Sequence, residues 1–199
     1  KAKSKAAKSL QSCINEVNRL DSIIVHFLNA IKPTVPEFQE LNLLSVIEEI
    51  LHIKEKELSV KKINIRLDAD NKEPLIDGDL DQIKQVFFNV IGNAMDAITN
   101  KSDIRIIISW ENEFITIQII DRGTGIKKEN ISKVFEPYFT TKKKGNGIGM
   151  MIVHRIMRDH GGDVGIDSKV GAGTIVTLRF PRNSERSKLL ESNPAADTK

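Results

Sequence analysis

Apolar residues at the start of the chain recur at helical spacing. Ile14, Val17, Leu20, Ile24, Leu28 and Ile31 step by 3, 3, 4, 4 and 3, one stripe among charged neighbours, and predict a single helix over residues 1–32. Pro33 and Pro36 end it. Leu44, Ile47, Ile50, Leu51 and Ile53 predict a helix from about Asn42 to Leu58. Ile63, Ile65 and Leu67 alternate with polar residues, the pattern of a half-buried strand. A further helix is expected from Leu80 to Asn100, introduced by Asp79 with Gln82 three residues later, a cap-like start. Two strands, Ile104–Ser109 and Phe114–Ile120, read as a hairpin. From Asp121 to Asn146 periodicity fades into a long loop with one helical turn near Ile131–Val134, and such loops are usually functional. A helix from Gly147 to about His160 and strands at Asp163–Ser168 and Thr174–Phe180 follow. The fold class is α+β: an α/β sandwich whose mixed sheet is covered on one face by about three helices.

Composition narrows the picture. Of the 199 residues, 40% are hydrophobic and 29% charged, the balance of a soluble globular chain. Thirty basic against 27 acidic residues leave only +3, which excludes a strong nucleic-acid footprint. The lone Cys13 excludes a disulfide framework and a multi-cysteine zinc site. No apolar run has the length of a membrane span. The basic start Lys1–Lys8 leads into no apolar segment and is not a secretory signal. A cytoplasmic location follows as the expectation.

Four segments carry chemistry. On the helix after Asp79, residues Asn89, Asn93, Asp96 and Asn100 step by 4, 3 and 4 beside the apolar stripe. Such a face is either solvated or suited to oxygen coordination of Mg²⁺ beside a polyphosphate. Asp121-Arg-Gly123-Thr-Gly125-Ile126 follows a strand. There the carboxylate is able to accept from an amino group and the glycines admit close approach, although a plain turn has the same composition. Gly145-Asn146-Gly147-Ile148-Gly149-Met150 opens a helix, where backbone amides cradle phosphates. It fails the dinucleotide fingerprint, and no P-loop occurs. The eukaryotic kinase motifs H-R-D and D-F-G are absent. Gly171-Ala-Gly173-Thr174 lies between the last two strands and, alone, reads as a hairpin turn.

Taken in order with Phe135-Glu-Pro-Tyr138-Phe139, these segments resemble the N, G1, F, G2 and G3 boxes of bacterial sensor histidine kinases. The nitrogen-regulation branch is the most similar, because "FEPYFTTK" at Phe135–Lys142 leads into a glycine loop. The resemblance covers roughly Glu16–Pro181. It implies a Bergerat-type ATP-binding fold with ATP and Mg²⁺ as cofactors. It implies Asn93 as the metal ligand, Asn89 near the phosphates, Asp121 and Gly125 at the adenine, and Thr174 holding a bridging water. The nucleotide set completes with Asp96, Gly123, Ile126, Tyr138, Thr140, Thr141, Lys142, Gly145, Asn146, Gly147, Ile148, Gly149 and Met150. Residues from about Lys127 to Asn146 would form a mobile lid anchored by Phe135 and Phe139.

The same resemblance implies three parts. Residues 1–33 would be the second helix of a dimerisation and phosphotransfer hairpin, 34–181 the ATP-binding catalytic domain, and 182–199 a flexible tail. A response-regulator receiver domain is the expected partner, and the intact kinase a homodimer. One departure stands out: the phosphoacceptor His of the hairpin's first helix has no counterpart here. His26, followed by Phe27-Leu-Asn-Ala, does not match its motif, so the fragment is expected to bind ATP without phosphorylating itself. Clamp-type ATPases of the gyrase and mismatch-repair kind are the rival reading. They carry a Glu four residues before the metal Asn, where this chain has Asn89, an amide unable to act as general base. A pseudokinase scaffold is the third reading, and the intact nucleotide boxes count against it.

Overall fold

The structure, a computed structural model, describes residues 36–70, 73–99, 101–111, 113–142 and 145–182. The predicted helix over 1–32 with His26, the tail from residue 183, and Asn100 lie outside them. Four helices and seven strands are described: β1 (Gln39–Asn42), α1 (Leu43–Lys61), β2 (Ile63–Ala69), β3 (Leu75–Gly78), α2 (Leu80–Ala97), β4 (Ser102–Glu111), β5 (Phe114–Asp121), α3 (Lys128–Ile131), α4 (Gly149–Asp159), β6 (Asp163–Lys169) and β7 (Gly173–Pro181).

Five strands form one mixed sheet in the order β2-β4-β5-β7-β6. β2 runs parallel to β4 and every other neighbour is antiparallel. Alternation decides which face is covered. Ile104, Ile106 and Ile108 of β4, Ile115, Ile117 and Ile119 of β5, and Val176, Leu178 and Phe180 of β7 are buried together with the apolar stripes of α1, α2 and α4. The opposite face carries Gln118, Thr177 and Arg179. The expected sandwich of a mixed sheet under three long helices is therefore the observed one.

Local chemistry sets the helix ends. The Asn42 side chain accepts from the Leu44 amide at 3.0 Å and so starts α1. Asp79 Oδ1 accepts from the Gln82 amide at 3.0 Å and starts α2, as the cap-like spacing predicts. His160 then ties two helix ends together. Its Nε2 accepts from the Asp79 amide at 3.0 Å, which leaves the proton on Nδ1, 2.8 Å from the Ile156 carbonyl. The C-terminal end of α4 is thereby held against the N-terminal end of α2.

Several boundaries differ from expectation. α2 stops at Ala97 rather than Asn100, because Ile98 turns extended and the Ala97 carbonyl accepts from the Thr124 amide at 3.0 Å. The helical turn of the long loop falls at Lys128–Ile131, three residues early. α4 begins at Gly149, leaving Gly147 outside. The strands Ile104–Ser109 and Thr174–Phe180 extend at both ends. A two-stranded antiparallel sheet of β1 and β3 was not foreseen.

Candidate functional site

One cleft of about 620 Å³ opens between α2, the β5–α4 loop and the end of the sheet. Of the expected nucleotide residues, all but Gly123 and Tyr138 line it. Gly123 is buried behind it. Its amide donates to Asp121 Oδ1 at 2.7 Å, and an added Cβ would lie 2.5 Å from the Ala97 carbonyl. Tyr138 has a left-handed backbone (φ 65) and a side chain 54% exposed, outside the cleft. The cleft gathers the rest of the expected set without these two. Phe139 lines the cleft, whereas Phe135 packs at a tilt of 42° against His154 of α4 with ring centroids 5.3 Å apart.

At one end, three strands place a row of polar groups. Asp121 pairs with Thr174 across β5 and β7, and Thr174 pairs with Ser168 across β7 and β6. Asp121 and Thr174 are both buried. Burial pushes the Asp121 carboxyl above its ordinary value, more than the backbone amides of Gly123 and Thr174 and the Lys142 charge lower it. Two glycines make this end possible. Gly125 (φ +68) would place a Cβ 2.1 Å from the Lys169 carbonyl, and Gly173 (φ +113) one 2.0 Å from the Asp121 carbonyl. Neither position accepts a side chain.

At the other end, α2 presents Asn89, Asn93 and Asp96, one turn apart as the spacing predicts. Lys142, from the loop, donates to Asn93 Oδ1 at 2.8 Å and to Asp96 Oδ2 at 3.0 Å. Lys61, from the last turn of α1, reaches Asp96 Oδ1 at 3.0 Å. Burial works against the ionised Asp96 carboxyl, but hydrogen bonds from Lys142 and Lys61 outweigh it and hold the group below its ordinary value. Burial likewise disfavours the Lys61 ammonium, and Asp96 and Glu57 overcome it, so its pKa is raised. The fit to a divalent cation is direct: Asn93 and Asp96 are hard oxygen donors, and an ammonium already stands between them.

Asn89 lies against Gly149 at the start of α4, where an added Cβ would be 3.0 Å from Asn89 Oδ1. The amide face of α2 and the amino end of α4 thus meet at the same wall. Among the described residues, hydrogen bonds within the loop between α3 and α4 are short-range: Lys133 to Asn130, Glu136 to Lys133, Phe139 to Glu136 and Gly145 to Lys142.

Sequence reasoning missed Lys61, Ser168 and Gln85. Lys61 sits beside Lys62 at a helix end and has no motif around it. Ser168 shares the core-facing register of Val164 and Ile166, a weak signal that a polar residue there has partners.

Residues 78–184 match the family model described as histidine kinase-, DNA gyrase B-, and HSP90-like ATPase. The chain is 32% identical over 176 residues to sensor histidine kinase ZraS of Escherichia coli (strain K12), covering 88% of this chain and 38% of that protein. It therefore spans about two fifths of that relative's length. The nucleotide-free catalytic domain of histidine kinase ThkA superposes with a TM-score of 0.69 at 28% identity, covering 75% of this chain and 99% of that one. ThkA in complex with response regulator protein TrrA superposes with a TM-score of 0.74 at 27% identity, covering 87% of this chain and 50% of that chain.

Proposed function

Since the chain belongs to the histidine kinase-, DNA gyrase B-, and HSP90-like ATPase family and carries the fold of a histidine kinase catalytic domain, we propose that it binds Mg-ATP and presents the γ-phosphate to a histidine of another segment. The observation that carries this reading is one cleft with two unlike ends. Acceptors at Asp121 and Thr174 suit a base, and a cation-holding wall at Asn93 and Asp96 suits a metal-bound triphosphate.

Each group has a task. Asp121 accepts from the adenine amino group, Thr174 holds a water beside it, and Ile126 and Met150 cover the base. Asn93 would ligate Mg²⁺, which neutralises phosphate charge when bound, and Asp96 would orient the ion's surroundings. Asn89 and the amides of Gly147–Gly149 receive the phosphates at the start of α4. Lys142 leaves Asn93 and follows the phosphates, with Thr140, Thr141, Gly145 and Asn146 closing around them. Little covalent work falls to the domain, since phosphoryl transfer is served by positioning and charge neutralisation. Asn89 has no basic group with which to activate water, which favours transfer over hydrolysis.

The wider setting belongs to the same proposal. On this reading residues 1–33, outside the described residues, would supply the second hairpin helix, 34–181 the catalytic domain, and the phosphoryl group would pass to a response-regulator aspartate. ThkA, solved with a response regulator, supports that partner. The homodimer of the intact kinase, its cytoplasmic location and the nitrogen-regulation branch rest on the sequence resemblance. Among the described residues no helix is long and apolar enough to cross a membrane. The test is incubation with labelled ATP, alone and with a peptide bearing the matching first helix. Acid-labile label on the peptide alone is expected. Label on the chain itself that disappears in a His26→Ala variant would overturn the assignment of the acceptor, and steady hydrolysis without transfer would favour a clamp ATPase.

A further inference from the structure

The base end of the cleft holds a proton whose position is fixed by counting. Ser168 Oγ lies 2.8 Å from the Ile126 amide, 2.9 Å from the Gly173 carbonyl and 3.0 Å from Thr174 Oγ1. A serine hydroxyl has one proton and two acceptor sites. The Ile126 amide only donates, so it takes one acceptor site. The Gly173 carbonyl only accepts, so a contact of 2.9 Å requires the serine proton to point there; otherwise two oxygens would face each other without a hydrogen between them. One acceptor site remains on Ser168, and Thr174 fills it. Thr174 therefore donates its hydroxyl proton to Ser168, away from the cleft, and shows the cleft only lone pairs.

Asp121 makes the same offer from the neighbouring strand. Its carboxylate accepts from the Gly123 and Thr174 amides and turns its remaining acceptor sites to the cleft. Asp121 and Thr174 are paired across β5 and β7 and line the same cleft, so on the proposed reading both acceptors serve the sixth position of a purine. An exocyclic amine satisfies them, whereas a carbonyl at that position meets lone pairs on both sides.

We infer that Ser168 is a positioning residue for nucleotide specificity: by taking the Thr174 proton it makes the base end acceptor-only, and so selects a 6-amino purine over a 6-oxo purine. This rests on the proposed reading of the cleft as an ATP site. Ser168 need not touch the nucleotide. It acts through the direction of one hydroxyl.

The experiment compares ATP with inosine triphosphate, which exchanges the 6-amine for a carbonyl and puts a proton on N1 with little change of shape, by titrating the purified chain in the presence of Mg²⁺. The unmutated chain is expected to prefer ATP by well over tenfold, since a site built for a donor leaves buried groups unpaired against an acceptor. In Ser168→Ala the Thr174 hydroxyl is free to turn, and the preference is expected to fall by about tenfold, one hydrogen bond's worth of discrimination. Any loosening of the Ile126 turn weakens both nucleotides alike and cancels in the ratio. Ser168→Thr keeps the hydroxyl and should keep the preference. Thr174→Val should lower it as Ser168→Ala does, and the double variant should lower it no further. An unchanged ATP preference in Ser168→Ala, or additive losses in the double variant, would overturn the inference while leaving ATP binding intact. No ATP binding by the unmutated chain would overturn the site reading itself.

Discussion

The ammonium of Lys142 lies 2.8 Å from the amide oxygen of Asn93, so a positive charge already stands on the atom assigned to Mg²⁺. A lysine reaches this point only because the loop folds back over α2, and it is stapled there by Asp96, itself braced by Lys61. An arriving metal and the lid lysine are therefore competitors for one oxygen. On the proposed reading, binding of Mg-ATP would exchange one cation for another and leave the released lysine free to follow the phosphates.

Asn93→Ala removes the disputed oxygen. ATP affinity in Mg²⁺ is expected to fall about tenfold or more, while affinity in chelator changes little, because only the metal-dependent part passes through this side chain. Calorimetric titration in both buffers checks it. An equal Mg²⁺ enhancement in both proteins would remove Asn93 from the metal.

Asp121→Asn separates binding from stability. The raised pKa of Asp121 means that the folded chain holds the proton more tightly than the unfolded chain. Its ionised form thus works against folding, and stability is lost as pH rises through the raised pKa. The amide should weaken ATP binding by about tenfold through loss of a charged acceptor, yet melt at pH 7 at the same temperature or a few degrees (roughly) higher. Melting curves and nucleotide titration of one sample test both halves.

Asp96 has the opposite sign. Its folded pKa lies below the ordinary value of 3.8, so its contribution is present above that value and lost as pH falls through the lower folded one. The carboxylate is half exposed, and such pairs contribute about 0.2–1 kcal/mol after screening. Asp96→Asn should therefore melt slightly below the parent at neutral pH. The gap should close below about pH 3.8, the ordinary value from which Asp96 is lowered. A gap that persists into acid would mean that packing, not charge, is responsible.

The loop from Lys127 to Asn146, proposed as a lid, is the segment where hydrogen exchange should respond most to nucleotide. Its described backbone bonds span three residues at most and belong to no ladder, so local opening costs little. Amides from Lys127 to Asn146 are expected to exchange fast in the free protein and slowly with an ATP analogue. Lys142→Met, which removes the staple, should exchange faster still without nucleotide. Strong protection in the free parent would contradict this.

Two glycine substitutions should move stability in opposite directions. At Gly92, within α2, an added Cβ meets nothing within 4 Å, so Gly92→Ala should stabilise by about 0.5–1 kcal/mol. At Gly173 the same methyl would overlap the Asp121 carbonyl. Gly173→Ala should cost on the order of 1–3 kcal/mol from its left-handed backbone alone. Denaturant melts read both.

The order of the motifs made most of the cleft legible before any coordinates. Asn89, Asn93 and Asp96 announce themselves by helical spacing, and Asp79 by its cap. What escaped depends on contacts between distant segments. β1 and β3 have four residues each, too few for alternation to stand out from a loop. α2 ends early because Thr124, in the next motif, caps Ala97. Lys61 belongs to the site only because α1 packs beside α2. Ser168 matters for the direction of a proton, which no spacing encodes.

The pairing of Asp121 with Thr174 carries a consequence for synthesis. The two acceptors lie on either side of the lid and α4, and they meet only when β7 slots between β5 and β6. A chain emerging from its N-terminal side has Asn89, Asn93 and the whole 127–146 loop made before Thr174 is added. On the proposed reading the base end is complete only once β7 is paired. Nucleotide, on that same reading, stabilises the finished domain by mass action, and a chain cut just after Lys169 would lose Thr174 together with the interior strand that carries the buried Leu178 and Phe180.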